Sequence, residues 1–227
     1  TALCRKMGTS CAALRGVERL FWLKNGLTAA DMATLGMILR TNGLPRLDQL
    51  SFGFNRFGDA GMQALCEGLG HGAVPSFRTL SLNDNSIGPA GAEALAAALR
   101  RGAMPKLREL DLSRNPLGNQ GVTALAAPLR KLPALELLNL CSCGIGDEAM
   151  ASLVADLGKD DFKALERLYL DGNNSTDAAC APLVSAIDGG RMPRIGCILL
   201  DHNSASSDAA RRAVAVAVSR AKARRSS

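Results

Sequence analysis

Thiols and an imidazole are the groups in this chain with the most distinctive chemistry. Cys141 and Cys143 stand two residues apart, and Cys197 stands five residues before His202. A shared metal needs both thiols on one side of the chain, but alternation along a strand turns Cys141 outward and Cys143 inward, so we interpret both as structural. A nucleophilic Cys197 with His202 as its base stays open as an alternative, and it requires a cleft and a third group that orients the imidazole.

Paired carboxylates could act as an acid and a base, but their positions favour structural roles. Asp147 and Glu148 begin a predicted helix, where carboxylates complement the helix dipole, and Asp160 and Asp161 lie in a predicted loop. The sequence contains no glycine-rich phosphate loop with its lysine. We therefore predict that the protein is not an enzyme and has no catalytic residue, no metal site and no cofactor.

The composition indicates a folded protein with an aliphatic core. The 227 residues are 47% hydrophobic, 21% charged and only 4% aromatic. No run of residues approaches the roughly 20 apolar positions that a membrane-spanning helix needs. Seven cysteines at irregular spacing favour reduced thiols. We expect a cytoplasmic protein in a reducing intracellular compartment, without a membrane span, and an organellar location stays open.

The net charge of +6 belongs to the C-terminal tail. Residues 1–209 hold 21 basic and 21 acidic side chains, whereas residues 210–227 hold six cations and no acid. A neutral body makes nucleic acid an unexpected partner. The tail could bind acidic protein, nucleic acid or membrane lipid, but a solvated helix end is the favoured interpretation, because cations stabilise helix C-termini.

A repeat organises most of the chain. Its marker is an asparagine, replaced once by cysteine, and successive markers are 30, 30, 30, 28, 30 and 30 residues apart. The marker positions are Asn25, Asn55, Asn85, Asn115, Cys143, Asn173 and Asn203. Apolar residues stand eight, five and three residues before each marker, and a leucine stands ten residues after it in every copy but the last. Such registered copies across residues 17–215 predict a repeat architecture.

Each copy changes its period partway through. Residues 107–115 alternate apolar and polar side chains, as in a short strand, and residues 121–129 space apolar side chains by three and four, as in a helix. One such unit cannot bury its own apolar face, so the copies must stack. The sequence predicts a curved α/β solenoid, a horseshoe of about seven repeats, with parallel strands on the concave face and helices on the convex face.

Both ends depart from the repeat. We predict an N-terminal remnant or capping segment at residues 1–16, the repeat domain at residues 17–215, and a basic C-terminal helix end and tail at residues 216–227. Residues 204–208 replace the usual turn, and a capping helix is predicted to begin near Ser207 or Asp208. The side chains predicted to face the stack are Val214, Ala217, Val218 and Ala221.

The unit Leu-x-x-Leu-x-Leu-x-x-Asn/Cys-x-Ile/Leu-Gly-x-x-Gly-x-x-x-Leu resembles the leucine-rich repeats of the ribonuclease-inhibitor class, and residues 81–95 are a nearly ideal copy. The resemblance covers residues 17–215 and implies the leucine-rich-repeat solenoid. Similar proteins include ribonuclease inhibitors, sensor domains of NOD-like receptors and Ran GTPase-activating proteins. The resemblance specifies the fold far better than the function, because one horseshoe serves many partners.

Positions that point away from the core form the predicted inner surface. Aromatic and arginine side chains dominate interface energies, and carboxylates on the middle and late strands would attract a basic partner. The predicted partner-binding residues are Phe21, Phe54, Asp84, Asp111, Arg114, Arg167, Tyr169, Asp171 and Asp201. For Phe21 and Leu23 the alternative is packing beneath the N-terminal segment. For the carboxylates the alternative is a solvated face without a ligand.

The predicted function is that of a non-catalytic protein–protein interaction scaffold or assembly subunit. It would bind protein partners through the concave strand face and the adjacent loops, in a larger complex or as a piece of a longer chain. One alternative is a GTPase-activating protein of the Ran-directed type, which the basic tail disfavours because those proteins carry an acidic C-terminal extension. The other is a sensor fragment of a NOD-like receptor, which requires a nucleotide-binding module outside these residues.

Overall fold

The computed structural model describes residues 2–41, 43–70, 74–203 and 206–226 of the chain. Within them, seven three-residue strands form one parallel sheet in chain order. The strands are β1 (Arg19–Phe21), β2 (Gln49–Ser51), β3 (Thr79–Ser81), β4 (Glu109–Asp111), β5 (Leu137–Asn139), β6 (Arg167–Tyr169) and β7 (Cys197–Leu199). Every strand pairs with the next without a shift in register, as the constant repeat length requires.

In the described residues, one helix follows each strand and packs against the helix of the next repeat. Two short helices precede β1: α1 (Ala2–Lys6) and α2 (Cys11–Leu14). The others are α3 (Ala29–Arg40), α4 (Gly58–Gly68), α5 (Pro89–Arg100), α6 (Gly118–Arg130), α7 (Asp147–Val154), α8 (Asp177–Asp188) and α9 (Asp208–Ser226). This alternation confirms the predicted α/β solenoid. Across the described residues, no helix has the length and apolar character of a membrane span.

The buried rows are the repeated apolar positions. Leu80, Leu110 and Leu138 are direct partners on neighbouring strands, and each is at most 1% exposed. Each leucine therefore packs between its counterparts in the two adjacent repeats, which is why a single copy could not bury its own strand. The row weakens at the last strand, where Ile198 is only partly buried.

The marker asparagines form a buried ladder beside the strand ends. The Asn85 Oδ1 accepts hydrogen bonds from the backbone N–H groups of Asn55 and Arg56, both at 3.1 Å. The Asn85 Nδ2 donates to the carbonyls of Phe52 at 2.9 Å and Leu82 at 3.0 Å. One amide side chain thus pairs backbone groups in two successive repeats, and these groups would otherwise be buried without partners.

Cys143 is a weaker rung of this ladder. Its Sγ lies 3.3 Å from the Leu112 carbonyl, so the thiol takes over the donor role of the amide. In the preceding repeat, the Ile87 N–H donates to the Oδ1 of the next marker, Asn115, at 3.0 Å. The equivalent Leu117 N–H has no such oxygen on Cys143 and donates instead to the backbone carbonyl of Asn115 at 2.7 Å. The amide oxygen that joins other repeats is therefore missing at this position.

The N-terminal segment covers the first repeat. Leu3 and Leu14 are at most 1% exposed, and the Lys6 Nζ lies 2.7 Å from the carboxylate of Asp31. Asp31 also forms a capping box with Thr28 at the start of α3. Although burial alone would raise it, the hydrogen bonds from Lys6 and Thr28 hold the pKa of Asp31 below its ordinary value. The segment is thus joined to the first repeat by both apolar and charged contacts.

At the other end, α9 begins where the sequence predicts. The Ser207 hydroxyl accepts a hydrogen bond from the Ala210 N–H at 3.2 Å, which makes Ser207 the N-cap. The four side chains predicted to face the stack are all buried. The predicted division after residue 215 falls inside this helix. Residues 204 and 205 of the predicted irregular turn lie outside the described residues.

Three basic side chains of α9 contact the preceding repeat and the loop after it. Arg220 forms two hydrogen bonds with the Asp188 carboxylate, at 3.1 and 2.5 Å. Arg224 donates to the last two carbonyls of α8 at 2.9 and 3.1 Å, and Arg225 donates to two carbonyls just before β7 at 2.6 and 3.0 Å. These cations therefore cap the C-terminus of α8 and the loop after it, which a purely solvated helix end would not do.

Candidate partner-binding surface

Four outward rows of side chains make up the concave surface. Three rows come from each strand and the short segment after it, where every second side chain points away from the core. The fourth comes from the residue just before each marker. In the first repeat the four rows contain Arg19, Phe21, Leu23 and Lys24. In the last repeat they contain Cys197, Leu199, Asp201 and His202. In contrast to the leucine rows beneath them, these rows change residue type from copy to copy.

The fourth row faces outward because of a turn in the backbone, and strand alternation does not explain it. Phe54, Asp84 and Arg114 have φ angles of 61°, 54° and 56°, so the backbone turns in the left-handed region directly after each strand. Alternation alone would point these side chains inward, because the residue before each one already points outward. The three residues therefore lie in turns and not in strand positions, which corrects their predicted location. Phe54 and Arg114 are exposed and Asp84 is half-buried.

Large apolar side chains are exposed mainly on the first two repeats. Phe21, Leu23 and Phe54 are 54%, 42% and 37% exposed, and they are three of the six such side chains among the described residues. The Lys24 Nζ lies 5.1 Å from the centroid of the Phe54 ring, so the ammonium group rests against the aromatic face. The alternative in which Phe21 and Leu23 pack beneath the N-terminal segment is wrong, since both remain exposed.

The carboxylates of the later strands are held by backbone groups. The Asp111 Oδ1 accepts a hydrogen bond from the Ser113 N–H at 2.9 Å, and the Asp171 Oδ1 accepts one from the Asp201 N–H at 2.8 Å. The Asp171 Oδ2 lies 3.5 Å from the Cys141 Sγ. Asp201 itself is exposed. This part of the concave surface is therefore acidic, and two of its carboxylates have a fixed orientation.

Arg167 reaches across a whole strand. Its guanidinium lies 3.3 Å from the Glu109 Oε1, although Glu109 is on β4 and Arg167 is on β6. Leu137 of β5 is the register partner of both residues, so the ion pair passes over it. Such half-exposed pairs contribute little to stability. The pair does lower the positive charge that Arg167 presents to a partner. Tyr169, two residues further along β6, is half-buried.

Burial disfavours ionisation of the Cys141 and Cys143 thiols. Burial raises the pKa of the Cys143 thiol to about 12, and burial together with the neighbouring Asp171 carboxylate raises that of Cys141 to about 11. A zinc ligand or nucleophile has to be a thiolate. Cys141 lies on the outward side and Cys143 is buried, as alternation predicts. Over the described part of the chain, no group of three or more His, Cys, Asp or Glu residues could hold a metal ion.

A second ladder at the helix starts was not predicted. The Asp59 Oδ1 on α4 accepts hydrogen bonds from the N–H groups of Gly88 and Gly91 at 2.6 and 2.9 Å, and the Asp147 carboxylate on α7 binds the N–H and hydroxyl of Thr176 at 2.7 Å each. Each carboxylate thus caps the helix of the following repeat. The signal in the sequence is an Asp or Asn four residues after a marker, at Asp59, Asn119, Asp147 and Asp177.

The family model described as leucine-rich repeat matches residues 47–66, 75–96 and 103–126. These segments contain β2, β3 and β4 and most of the helices that follow them. The match and the seven in-register strands agree on one architecture. The fold is a leucine-rich-repeat solenoid. Leucine-rich-repeat proteins are generally protein–protein interaction scaffolds and are typically non-catalytic.

The chain is also similar to a chain in the crystal structure of a TLR13-ssRNA13 complex, with 19% sequence identity and a TM-score of 0.40. The similarity covers 91% of this chain and 32% of the other, so this chain spans about a third of the length of that relative. No curated protein matches the sequence.

Proposed function

We propose that this protein is a non-catalytic interaction scaffold or assembly subunit that binds a protein partner through the concave strand face and the adjacent turns. One observation carries the proposal. Within a single sheet, the inward positions repeat leucine while the outward positions hold a different residue in almost every copy. Folding needs only the inward repetition. The variety on the outward side supports a surface adapted to a particular partner.

The proposed contacts combine rigid aromatic anchors with charged groups. Phe21, Phe54 and Tyr169 offer large surfaces with few rotatable bonds, and Arg114 offers an exposed guanidinium. The carboxylates of Asp84, Asp111, Asp171 and Asp201 would pair with basic groups of the partner. Arg167 would contact the partner while it stays paired with Glu109. The contacts thus extend along the whole concave face.

The ribonuclease-inhibitor class and a reducing, cytoplasmic setting belong to the same proposal. Repeats of 28 to 30 residues with Asn or Cys at the marker support the class. Free cysteines, such as Cys141 and Cys143, support a setting in which cysteines stay reduced.

The experiment begins with identification of the partner. A photo-crosslinking amino acid at Asn139, an outward position of β5, captures whatever protein binds the concave face, and mass spectrometry identifies it. The isolated partner is then titrated against variants of the full chain. Phe54→Ala with Tyr169→Ala should weaken binding by about tenfold or more. Met37→Ala, which alters an exposed side chain on the convex face, is the matched control and should change the affinity by less than about twofold.

The Ran-directed alternative has its own test. Small GTPases are incubated with the full chain, and GTP hydrolysis is followed over time. The scaffold proposal expects the same rate with and without the protein. Stimulated hydrolysis would contradict the non-catalytic scaffold and favour the GTPase activator.

A further inference from the structure

The first two repeats combine exposed apolar groups with cations that form no ion pair among the described residues. Phe21, Leu23 and Phe54 are exposed on the outward side, and Arg19 and Lys24 stand beside them in the sequence. Across residues 2–41, 43–70, 74–203 and 206–226, neither Arg19 nor Lys24 forms an ion pair. We call Arg19, Phe21, Leu23, Lys24 and Phe54 the Phe21 patch.

The first outward position of β6 provides a comparison for Arg19, which occupies the first outward position of β1. Arg167 occupies the position of Arg19 in its repeat, and its charge is paired with Glu109 at 3.3 Å. No outward position of the first two repeats holds an acid that could pair with Arg19 or Lys24 in that way. Acidic residues enter the outward rows only from Asp84 onwards. The concave face is therefore positive and aromatic at its first end and largely acidic further on.

The surface next to the patch is formed by small, buried residues. Ser51 and Gly53 of the second repeat lie beside Phe21 and Leu23, so small residues follow large ones across the sheet. A Cβ atom on Gly53 would come within 2.3 Å of the Asn83 Oδ1, which shows that the Asn83 amide leans over this glycine. The apolar side chains of the patch thus border small residues, with the Asn83 amide at their far side, where its Oδ1 accepts a hydrogen bond from the Ser81 hydroxyl at 3.0 Å.

We propose that the Phe21 patch binds an acidic segment of the protein partner, with an apolar side chain against Phe21, Leu23 and Phe54 and carboxylates at Arg19 and Lys24. This inference rests on the proposed function and names the chemistry of one end of its surface. Clustered exposed apolar groups with a polar rim mark interaction sites, and unpaired cations select a partner of opposite charge. A nucleic acid fits less well, because its affinity depends on how many phosphates the protein's cations neutralise, and the patch holds only two cations.

The test uses random twelve-residue peptides displayed on phage and selected on the full chain. We expect the recovered peptides to carry Asp and Glu on either side of an aromatic or aliphatic residue. One selected peptide is synthesised with a fluorescent label and titrated with the full chain while the fluorescence anisotropy of the label is recorded. The label is needed because the side chain of Trp22, the single Trp of the chain, is buried against Phe52 on the inward side. The affinity should fall as salt is added.

Charge-reversal variants locate the binding. Arg19→Glu with Lys24→Glu should weaken binding of the acidic peptide by about tenfold or more, and a peptide with Lys in place of its acids should then bind the variant better than it binds the original chain. Arg212→Glu, which reverses an exposed cation on α9, is the matched control and should change the affinity by less than about twofold. Circular dichroism confirms that each variant folds.

Several results would overturn the inference. These are the recovery of basic or uncharged peptides, no recovery at all, binding that the Arg19→Glu, Lys24→Glu variant leaves unchanged, and tighter binding of single-stranded oligouridine than of the acidic peptide. The proposed function would survive such a result if Phe54→Ala with Tyr169→Ala still weakened binding of the crosslinked partner. The two proposals can therefore fail separately.

Discussion

The two sides of the seven-stranded sheet are made from alternate residues of the same short strands, yet they differ in almost every property. The inward side repeats one residue type, and Leu80, Leu110 and Leu138 are buried in one continuous row. The outward side changes from Phe21 in the first copy to Asp111 in the fourth. The repeated residues therefore specify the stack of repeats, whereas the residues that differ between copies specify what the stack can bind.

The largest expected effect is on the inward side. Leu110→Ala should lower the free energy of unfolding by about 2–5 kcal/mol, because it leaves a cavity between two neighbouring repeats. Urea denaturation followed by circular dichroism measures the change. Thr79→Ala, at an outward position of the neighbouring strand, is the control and should stay within about 0.5 kcal/mol. Equal losses in the two variants would remove the distinction between the two sides.

The asparagine ladder should give the next largest effect. Asn85→Ala removes an amide that bonds five backbone groups, and we expect a loss of about 2–3 kcal/mol because buried N–H and C=O groups are left without partners. Asn25→Ala is the matched control at the exposed first rung, where the side-chain amide donates to the Leu23 carbonyl. Its cost should be below about 1 kcal/mol. If the two variants unfolded at the same urea concentration, the ladder would carry no special stability.

For Cys143, the one marker that is not an asparagine, we predict a substitution that increases stability. Cys143→Asn should raise the free energy of unfolding by about 1 kcal/mol, because the new Oδ1 can accept hydrogen bonds from the backbone of the preceding repeat. Thermal and urea denaturation under reducing conditions measure the change. A loss of stability would mean that the shorter repeat has no room for an amide and that the cysteine is the better fit there.

The smallest effect on stability belongs to the outward side. Phe54→Ala with Tyr169→Ala should leave the free energy of unfolding within about 0.5–1 kcal/mol of the original chain, while binding of the partner falls. Denaturation and titration of the same preparation give both quantities. A loss as large as that of Leu110→Ala would place these aromatic side chains in the packing of the fold and away from the binding surface.

The inward side could be predicted from the sequence because it depends on local spacing alone. The leucines and the marker asparagines recur at fixed intervals, and any stacked arrangement must bury them together. The strand that carries Leu110, the helix after it and the capping helix that begins at Asp208 all follow from the change of period and from the cap residue.

The outward side and the contacts between repeats were harder to predict. Phe54 faces outward because its backbone is left-handed, and nothing in the residue type indicates such a turn, since glycine is the residue that usually adopts it. The Arg167–Glu109 pair joins residues 58 positions apart, and the Arg224 contacts with α8 join residues 36 and 37 apart. Side chains this distant meet only once the repeats have stacked, so a pattern along the chain does not reveal them.

Hydroxyl-radical footprinting with mass spectrometry tests the division between the two sides most directly, since it reports the solvent contact of individual side chains in the free protein and in its complex with the crosslinked partner. We expect Phe21, Phe54 and Tyr169 to be oxidised in the free protein and protected in the complex, and Leu80 and Leu110 to resist oxidation in both. Protection confined to the convex helices, at Met37 for example, or ready oxidation of Leu110 in the free protein, would contradict the account.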